Sequence, residues 1–244
     1  MEICGKTDMG AVRRQNQDAF SVMLDDERSV AVFVVCDGMG GARAGNVASG
    51  MAVDRFMEYM RKAGGDGAQL GDIADVMEKA AAAANAVVYV KSATESEYAG
   101  MGTTLVAAAV TQERCVIANI GDSRAYRITG DGITQVTKDH SVVEEMVDRG
   151  DITRAEARGH PKKNLITRAL GTGISEMPDI FEPELREGEY LLLCSDGLSN
   201  IVEEREIYYE TTYGGGIEDS CGRLMEIALT RGAPDNVTAV LFKK

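Results

Sequence analysis

Five aspartates of this chain sit where a folded sheet would hold a carboxylate rigidly at its edge. Asp37 and Asp196 each follow a near-continuous apolar run, AVFVVC over 31–36 and YLLLCS over 190–195, and each is followed by Gly. Runs of that kind read as strands buried on both faces. The Asp then stands at the rim of a rigid core, and Gly38 or Gly197 lets the backbone turn and come close to a ligand. Asp122 in G-D-S and Asp235 in P-D-N share the setting of a turn residue beside a β-type run, and Asp18 closes the polar segment R-R-Q-N-Q-D. Taken singly, each is a turn former. Taken together, they suggest a carboxylate site that folding assembles from distant parts of the chain. Converging acids raise one another's pKa and cannot stay ionised without counter-charge, which a divalent cation supplies. With only two histidines, His140 and His160, and no thiolate cluster, a zinc site of the usual type is disfavoured. All-oxygen ligation suits Mg²⁺ or Mn²⁺.

These residues need elements to position them. Short strands are predicted over 2–8 and 19–24, then the apolar strand 31–36. Two helical patterns follow, 45–62 and 72–92, split by the breaker G-G-D-G over 64–67, and the alanine run 80–84 is a strong helix former. The runs 103–111, 115–120, 124–129 and 133–137 are β-type and joined by brief turns, which implies antiparallel hairpins. A polar helical stretch over 141–159 interrupts them before strand 190–195, helices near 203–211 and 217–231, and a last strand over 237–242. Strands clustered apart from helices indicate an α+β fold with antiparallel sheets. The sequence has no repeat, no low-complexity tract and only four prolines, so one domain over 1–244 is expected.

Composition is that of a globular protein, 44% hydrophobic and 27% charged. A net charge of −13 argues against nucleic acid and anionic membranes as partners. The five cysteines are scattered with no C-x-x-C, no signal pattern opens the chain, and no apolar stretch is long enough for a span. A reducing cytoplasm is the expected compartment. The chain ends soon after its last strand with Lys243-Lys244, so no attached kinase or membrane anchor is expected. Asn236-Val-Thr matches a glycosylation sequon, which reads as accidental there.

Order and wording carry more than any single acid. The chain reads R-R-Q-N-Q-D, V-C-D-G-M-G-G, G-M-G-T-T-L, A-N-I-G-D-S-R-A-Y, L-L-C-S-D-G-L and P-D-N-V-T in succession. From about Asp8 to Phe242 it resembles the metal-dependent serine/threonine protein phosphatases of type 2C, in their compact bacterial form. The resemblance implies a four-layer αββα sandwich, two packed antiparallel sheets flanked by helices, with a binuclear metal site at one end. It implies two core Mn²⁺ or Mg²⁺ ions and a weaker third. By match, Asp37 would bridge the core ions and the Gly38 carbonyl would ligate one. Asp196 and Asp235 would hold the other, Asp18 would act through a metal-bound water, and Asp122 would serve the third. Arg13 would grip the substrate phosphate, and 137–171 would form a flap beside the site. The implied reaction is attack of a metal-bound water or hydroxide on phosphoserine or phosphothreonine in proteins, opposing a Ser/Thr kinase. A monomer is expected.

Three positions depart from the family pattern. Gln17 stands where the N-E-D motif has Glu, Met39 where many eukaryotic members carry His, and Ala42 where many bacterial members carry a different His. The group that protonates the leaving oxygen is therefore unassigned, and slower turnover or a higher metal requirement is expected. Two other readings follow: a phosphoprotein binder without turnover, and an enzyme for one narrow target such as a phosphorylated anti-sigma-type regulator. The segment G-M-G-G fails as a dinucleotide loop, because the third glycine of G-x-G-x-x-G falls at Arg43. His140 and His160 read as capping or packing residues.

Overall fold

The computed structural model describes residues 1–25, 29–64 and 72–244. In chain order the strands are β1 Glu2–Asp8, β2 Asp18–Asp25, β3 Val30–Met39, β4 Gly102–Thr103, β5 Leu105–Val110, β6 Cys115–Ile120, β7 Arg124–Thr129, β8 Gly132–Gln135, β9 Asp179–Phe181, β10 Tyr190–Cys194 and β11 Val237–Lys243. The helices are α1 Gly41–Gly64, α2 Ile73–Thr94, α3 Val142–Asp148, α4 Arg154–Arg158, α5 Asp196–Ser199, α6 Glu204–Tyr213 and α7 Ile217–Thr230. One sheet runs β2-β3-β5-β6-β9, with β4 paired to the end of β3; the other runs β1-β11-β10-β7-β8. Every pairing is antiparallel.

Strand alternation explains why the apolar runs are continuous. In β3, Ala31, Phe33 and Val35 point between the sheets, where they meet Leu191, Leu193, Val240 and Phe242. Val32, Val34 and Cys36 point the other way, into a core shared with Ala80, Ala81 and Ala84 of α2. On the far side, Leu192 and Cys194 of β10 meet Ile217, Cys221, Leu224 and Ala228, a stripe at helical spacing along α7. Three cores between four layers make this an αββα sandwich. The Phe33 and Phe242 rings stack across the middle with centroids 5.4 Å apart, and each such buried side chain contributes about 1.5–3 kcal/mol.

Several local expectations change. Strand β3 does not stop at Cys36 but runs through Asp37 and Gly38, which pair with Asp18 and Thr103. The second Asp-Gly behaves differently and opens the short helix α5. At both positions glycine is also required by close packing. A Cβ on Gly38 would strike the Gly45 carbonyl in α1, and one on Gly197 would strike the Asn236 carbonyl. These glycines let two chain segments touch at the site's floor. The polar stretch 141–159 is two helices, because Thr153 caps α4 with a reciprocal Thr153–Glu156 box. Strand β9 was not expected. Of the breaker at 64–67, residues from 65 on lie outside the described residues.

Candidate metal centre

Register brings the acids together at one end of the sandwich. Asp18 opens β2 directly opposite Asp37 in β3. Asp196 starts α5 as β10 ends, Asp235 precedes the adjacent strand β11, and Asp122 lies in the β6–β7 turn that passes from one sheet to the other. A cavity of about 500 Å³ is lined by Arg13, Asp37, Gly38, Asp122, Asp196 and Asp235, among others. Asp18 lies beneath rather than in the lining. It is 8% exposed, and its Oδ2 accepts hydrogen bonds from the Ser195 and Thr238 hydroxyls at 2.7 Å each.

Burial and mutual repulsion make this cluster electrostatically unfavourable on its own. Burial, followed by the charges of Asp196 and Asp235, pushes the Asp18 carboxyl up to about 6 despite the Ser195 and Thr238 bonds. Asp37 is raised well above the ordinary range by burial and then by Asp18, Asp196, Asp122 and Asp235. Asp122 rises to about 8 through burial and the charges of Asp196 and Asp139, and Asp196 is raised by burial and Asp235. Asp18 Oδ1 and Asp196 Oδ1 are buried without a hydrogen-bond partner. Unpartnered buried carboxylate oxygens are costly, and a cation is the group that satisfies both defects together.

The donor set selects the ion. It is all oxygen: Cys36 is fully buried behind Asp37 and burial pushes its thiol far up, while the ring nitrogens of His140 hydrogen-bond to Gly121 and Asp179. Among the described residues no three acidic, histidine or cysteine side chains close into a cage around one point. Hard ions such as Mg²⁺ keep several waters and take only one or two carboxylates each, which suits acids spread around a cavity. Mg²⁺ or Mn²⁺ fits; zinc in a nitrogen–sulfur cage does not.

Arg13 stands at the rim, its Nη2 donating to Asp235 Oδ2 at 2.7 Å, and the guanidinium is half exposed. Gln17 also lines the cavity. Its Nε2 donates to the Gly41 carbonyl at 2.9 Å, its backbone N–H to Asn236 Oδ1 at 2.8 Å, and its carbonyl accepts from Gly38 and Ser49. A glutamate could not make the bond to Gly41. Gln17→Glu adds a negative charge to the cavity wall and is expected to lower the Mn²⁺ concentration for half-maximal activity by about tenfold, while loss of the Gly41 bond lowers the melting temperature in EDTA. Coincident metal-dependence curves for wild type and variant would show that position 17 is silent. Met39 ends β3, and Ala42 lies in the first turn of α1, its side chain outside the described residues.

Sequence reasoning missed the residues that hold Asp18 and the segment carrying Arg13. Thr238 and Asn236 belong to the triplet dismissed as a sequon. Asn236 is buried and donates to the Met9 and Gln15 carbonyls at 2.9 and 3.0 Å, pinning the segment that carries Arg13. Ser195 and Thr238 also bond to each other's backbone across β10 and β11. The signal was present in S-D-G and D-N-V-T, whose hydroxyls flank the acids.

A two-sheet αββα sandwich with oxygen-only acids converging at one end is a metallophosphatase architecture, and residues 11–241 match the family described as Protein phosphatase 2C. The chain belongs to that family. It is 36% identical over 239 residues to the serine/threonine phosphatase stp of Listeria innocua, covering 98% of this chain and 94% of the relative. The crystal structure of the serine/threonine phosphatase Stp1 from Staphylococcus aureus superposes with a TM-score of 0.92 at 39% identity, over 100% of this chain and 94% of that one. The catalytic domain of the phosphatase PstP, solved in complex with two manganese ions, superposes at 0.84 with 36% identity, over 98% and 96% of the two chains.

Proposed function

We propose that this chain is a protein phosphatase that uses Mn²⁺ or Mg²⁺ to hydrolyse phosphoserine and phosphothreonine esters in proteins. The observation that carries this reading is the buried ring of carboxylates, two of them with unpartnered oxygens, around a cavity with an arginine at its rim. Asp37 would hold both core ions, helped by the Gly38 carbonyl, and Asp196 and Asp235 would complete the pair of sites, with Asp18 supporting them from beneath and Asp122 available to a weaker third ion. When bound, the ions supply an activated water and offset charge on the ester oxygens. Arg13 grips the phosphate, for which its planar fork is well shaped. Its position beside Asp235 puts that fork where an entering phosphate meets the rim.

The whole of 1–244 acts as one catalytic domain, and 137–171 forms a flap whose Asn164 and Ile166 face the cavity. Substrates are phosphorylated proteins, among them a Ser/Thr kinase and its targets. The net charge of −13 supports the absence of nucleic-acid or membrane partners, and among the described residues no helix is long and apolar enough to cross a membrane. We place the protein in the cytoplasm as a monomer.

The test is phosphate release from a phosphothreonine peptide with Mn²⁺, repeated with EDTA and with Asp196→Asn. Release is expected only in the first condition. Peptide capture without metal-dependent release would instead identify a binder that lacks turnover.

A further inference from the structure

The turn that carries Asp122 is held from behind by a histidine that the reading above leaves without a role. His140 is 9% exposed and clasps Gly121 at two points. Its backbone N–H donates to the Gly121 carbonyl at 2.9 Å, and its Nδ1 accepts the Gly121 N–H at 3.0 Å. Because Nδ1 accepts an amide proton, the ring proton belongs on Nε2. There it is donated to Asp179 Oδ2 at 3.1 Å. Arg168 Nη1, 2.8 Å from the same Nε2, donates to Asp179 Oδ1 at 2.8 Å. Burial would raise the Asp179 carboxyl, but the bonds from Arg168 and His140 outweigh it and hold the group below its ordinary range. The ring is thus fixed in orientation.

The turn needs that support. Gly121 has φ +108°, a conformation that side-chain-bearing residues rarely adopt, and a Cβ there would meet the Thr104 side chain. On its other flank the turn is tied toward Asp37: Ser123 Oγ and Thr104 Oγ1 are 2.7 Å apart, and Thr104 Oγ1 accepts from the Asp37 N–H at 2.9 Å. Asp122 is therefore held on the Thr104–Asp37 side and on the His140 side, where Asn119 Nδ2 also donates to the Gly121 carbonyl at 3.3 Å.

We propose that His140 is a positioning residue, whose Nδ1 sets the Gly121-Asp122-Ser123 turn so that the Asp122 carboxylate is presented to a cation in the cavity. The inference rests on Asp122 being a site acid, so Asp122→Ala is the reference.

Binding of Mn²⁺ alone to the purified protein, followed by calorimetry, is the readout, with melting temperature recorded beside it. Asp122→Ala is expected to weaken a low-affinity phase by tenfold or more and leave the tight phase within twofold. His140→Gln keeps a polar reach toward Asp179 but removes the acceptor at Nδ1, and about a tenfold weakening of the same phase is expected. His140→Asn places an amide oxygen near the Nδ1 position and should stay within threefold of wild type. Asp179→Ala, at a half-exposed carboxylate, unfastens the ring without touching the turn and should weaken the phase several-fold. The double variant Asp122→Ala/His140→Gln should bind no more weakly than Asp122→Ala alone.

Equal losses in His140→Gln and His140→Asn, tracking their melting temperatures, would reduce His140 to a packing residue and overturn the proposal. So would an unchanged weak phase in Asp179→Ala. If Asp122→Ala itself binds Mn²⁺ like wild type, the assignment of Asp122 fails first and the role of His140 fails with it.

Discussion

Asp37→Asn is expected to abolish Mn²⁺-dependent phosphate release while making the metal-free protein harder to melt. The two effects share one cause. Asp37 faces Asp18 across the β2–β3 pair and shares its cavity with Asp122, Asp196 and Asp235. Burial and those four charges raise its pKa well above the ordinary range, so its ionised form is a burden on the folded state whenever no cation is bound. An amide of the same shape removes that burden and also removes the proposed bridge between the ions. Loss of a central group in a catalytic unit costs on the order of 10³-fold or more. The stability gain reads as about 2–4 °C of melting temperature per kcal/mol of repulsion removed. Release rates and melting curves in EDTA at pH 8 check both halves. Retention of activity within tenfold would remove Asp37 from the centre of the mechanism.

The second large effect is a reversal of the usual pH trend. In EDTA, the melting temperature is expected to fall as pH rises from about 5 to 8. A carboxyl whose folded pKa lies above its unfolded value contributes stability that is fully present below the unfolded value and lost as pH rises through the folded one. Asp18 rises from 3.8 to about 6 and Asp122 from 3.8 to about 8, so the loss spans that window. Acids shifted the other way, such as Glu206 at about 2 beside Arg231, act only at lower pH and are constant across it. Mn²⁺ should reverse the loss at pH 8, by about 5–10 °C at one hundred times its Kd. At pH 5 it should do little, because protons hold the same oxygens. A melting series in pH with EDTA or Mn²⁺ measures this directly. An EDTA curve that is flat or rising between pH 5 and 8 would contradict the electrostatic account of the site.

Much of this was legible in the chain. Strands β5 and β10 and the apolar half of β3 could be read because a sheet covered on both faces demands unbroken apolar residues, and Asp37 and Asp196 followed from their position at the ends of such runs. What escaped was whatever depends on a distant partner. Strand β9 has three residues, and only pairing with β6 makes it a strand. The extension of β3 through Asp37-Gly38 depends on Asp18 and Thr103 as partners, which a local reading of Asp-Gly as a turn cannot supply. The hydroxyls of Ser195 and Thr238 look like ordinary polar residues until the fold sets both 2.7 Å from one carboxylate oxygen. His140 likewise read as packing, since nothing near it in sequence announces Gly121 or Asp179 as its partners.

The pairing of β1 with β11 sets a clock on the site during biosynthesis. Residues 2–8 hydrogen-bond along 237–243, and Asp18 draws one of its two hydroxyl partners from Thr238. Thr238 follows Asp18 by 220 residues and is translated long after it. Until it and Asp235 emerge from the ribosome, Asp18 has no finished seat and the acids of the first forty residues have no opposite wall. A nascent chain that has not yet exposed 235–243 therefore cannot assemble this centre, however long synthesis pauses there. Activity has to wait for strand β11, a non-local closure of the kind that makes sheet topologies slow to fold.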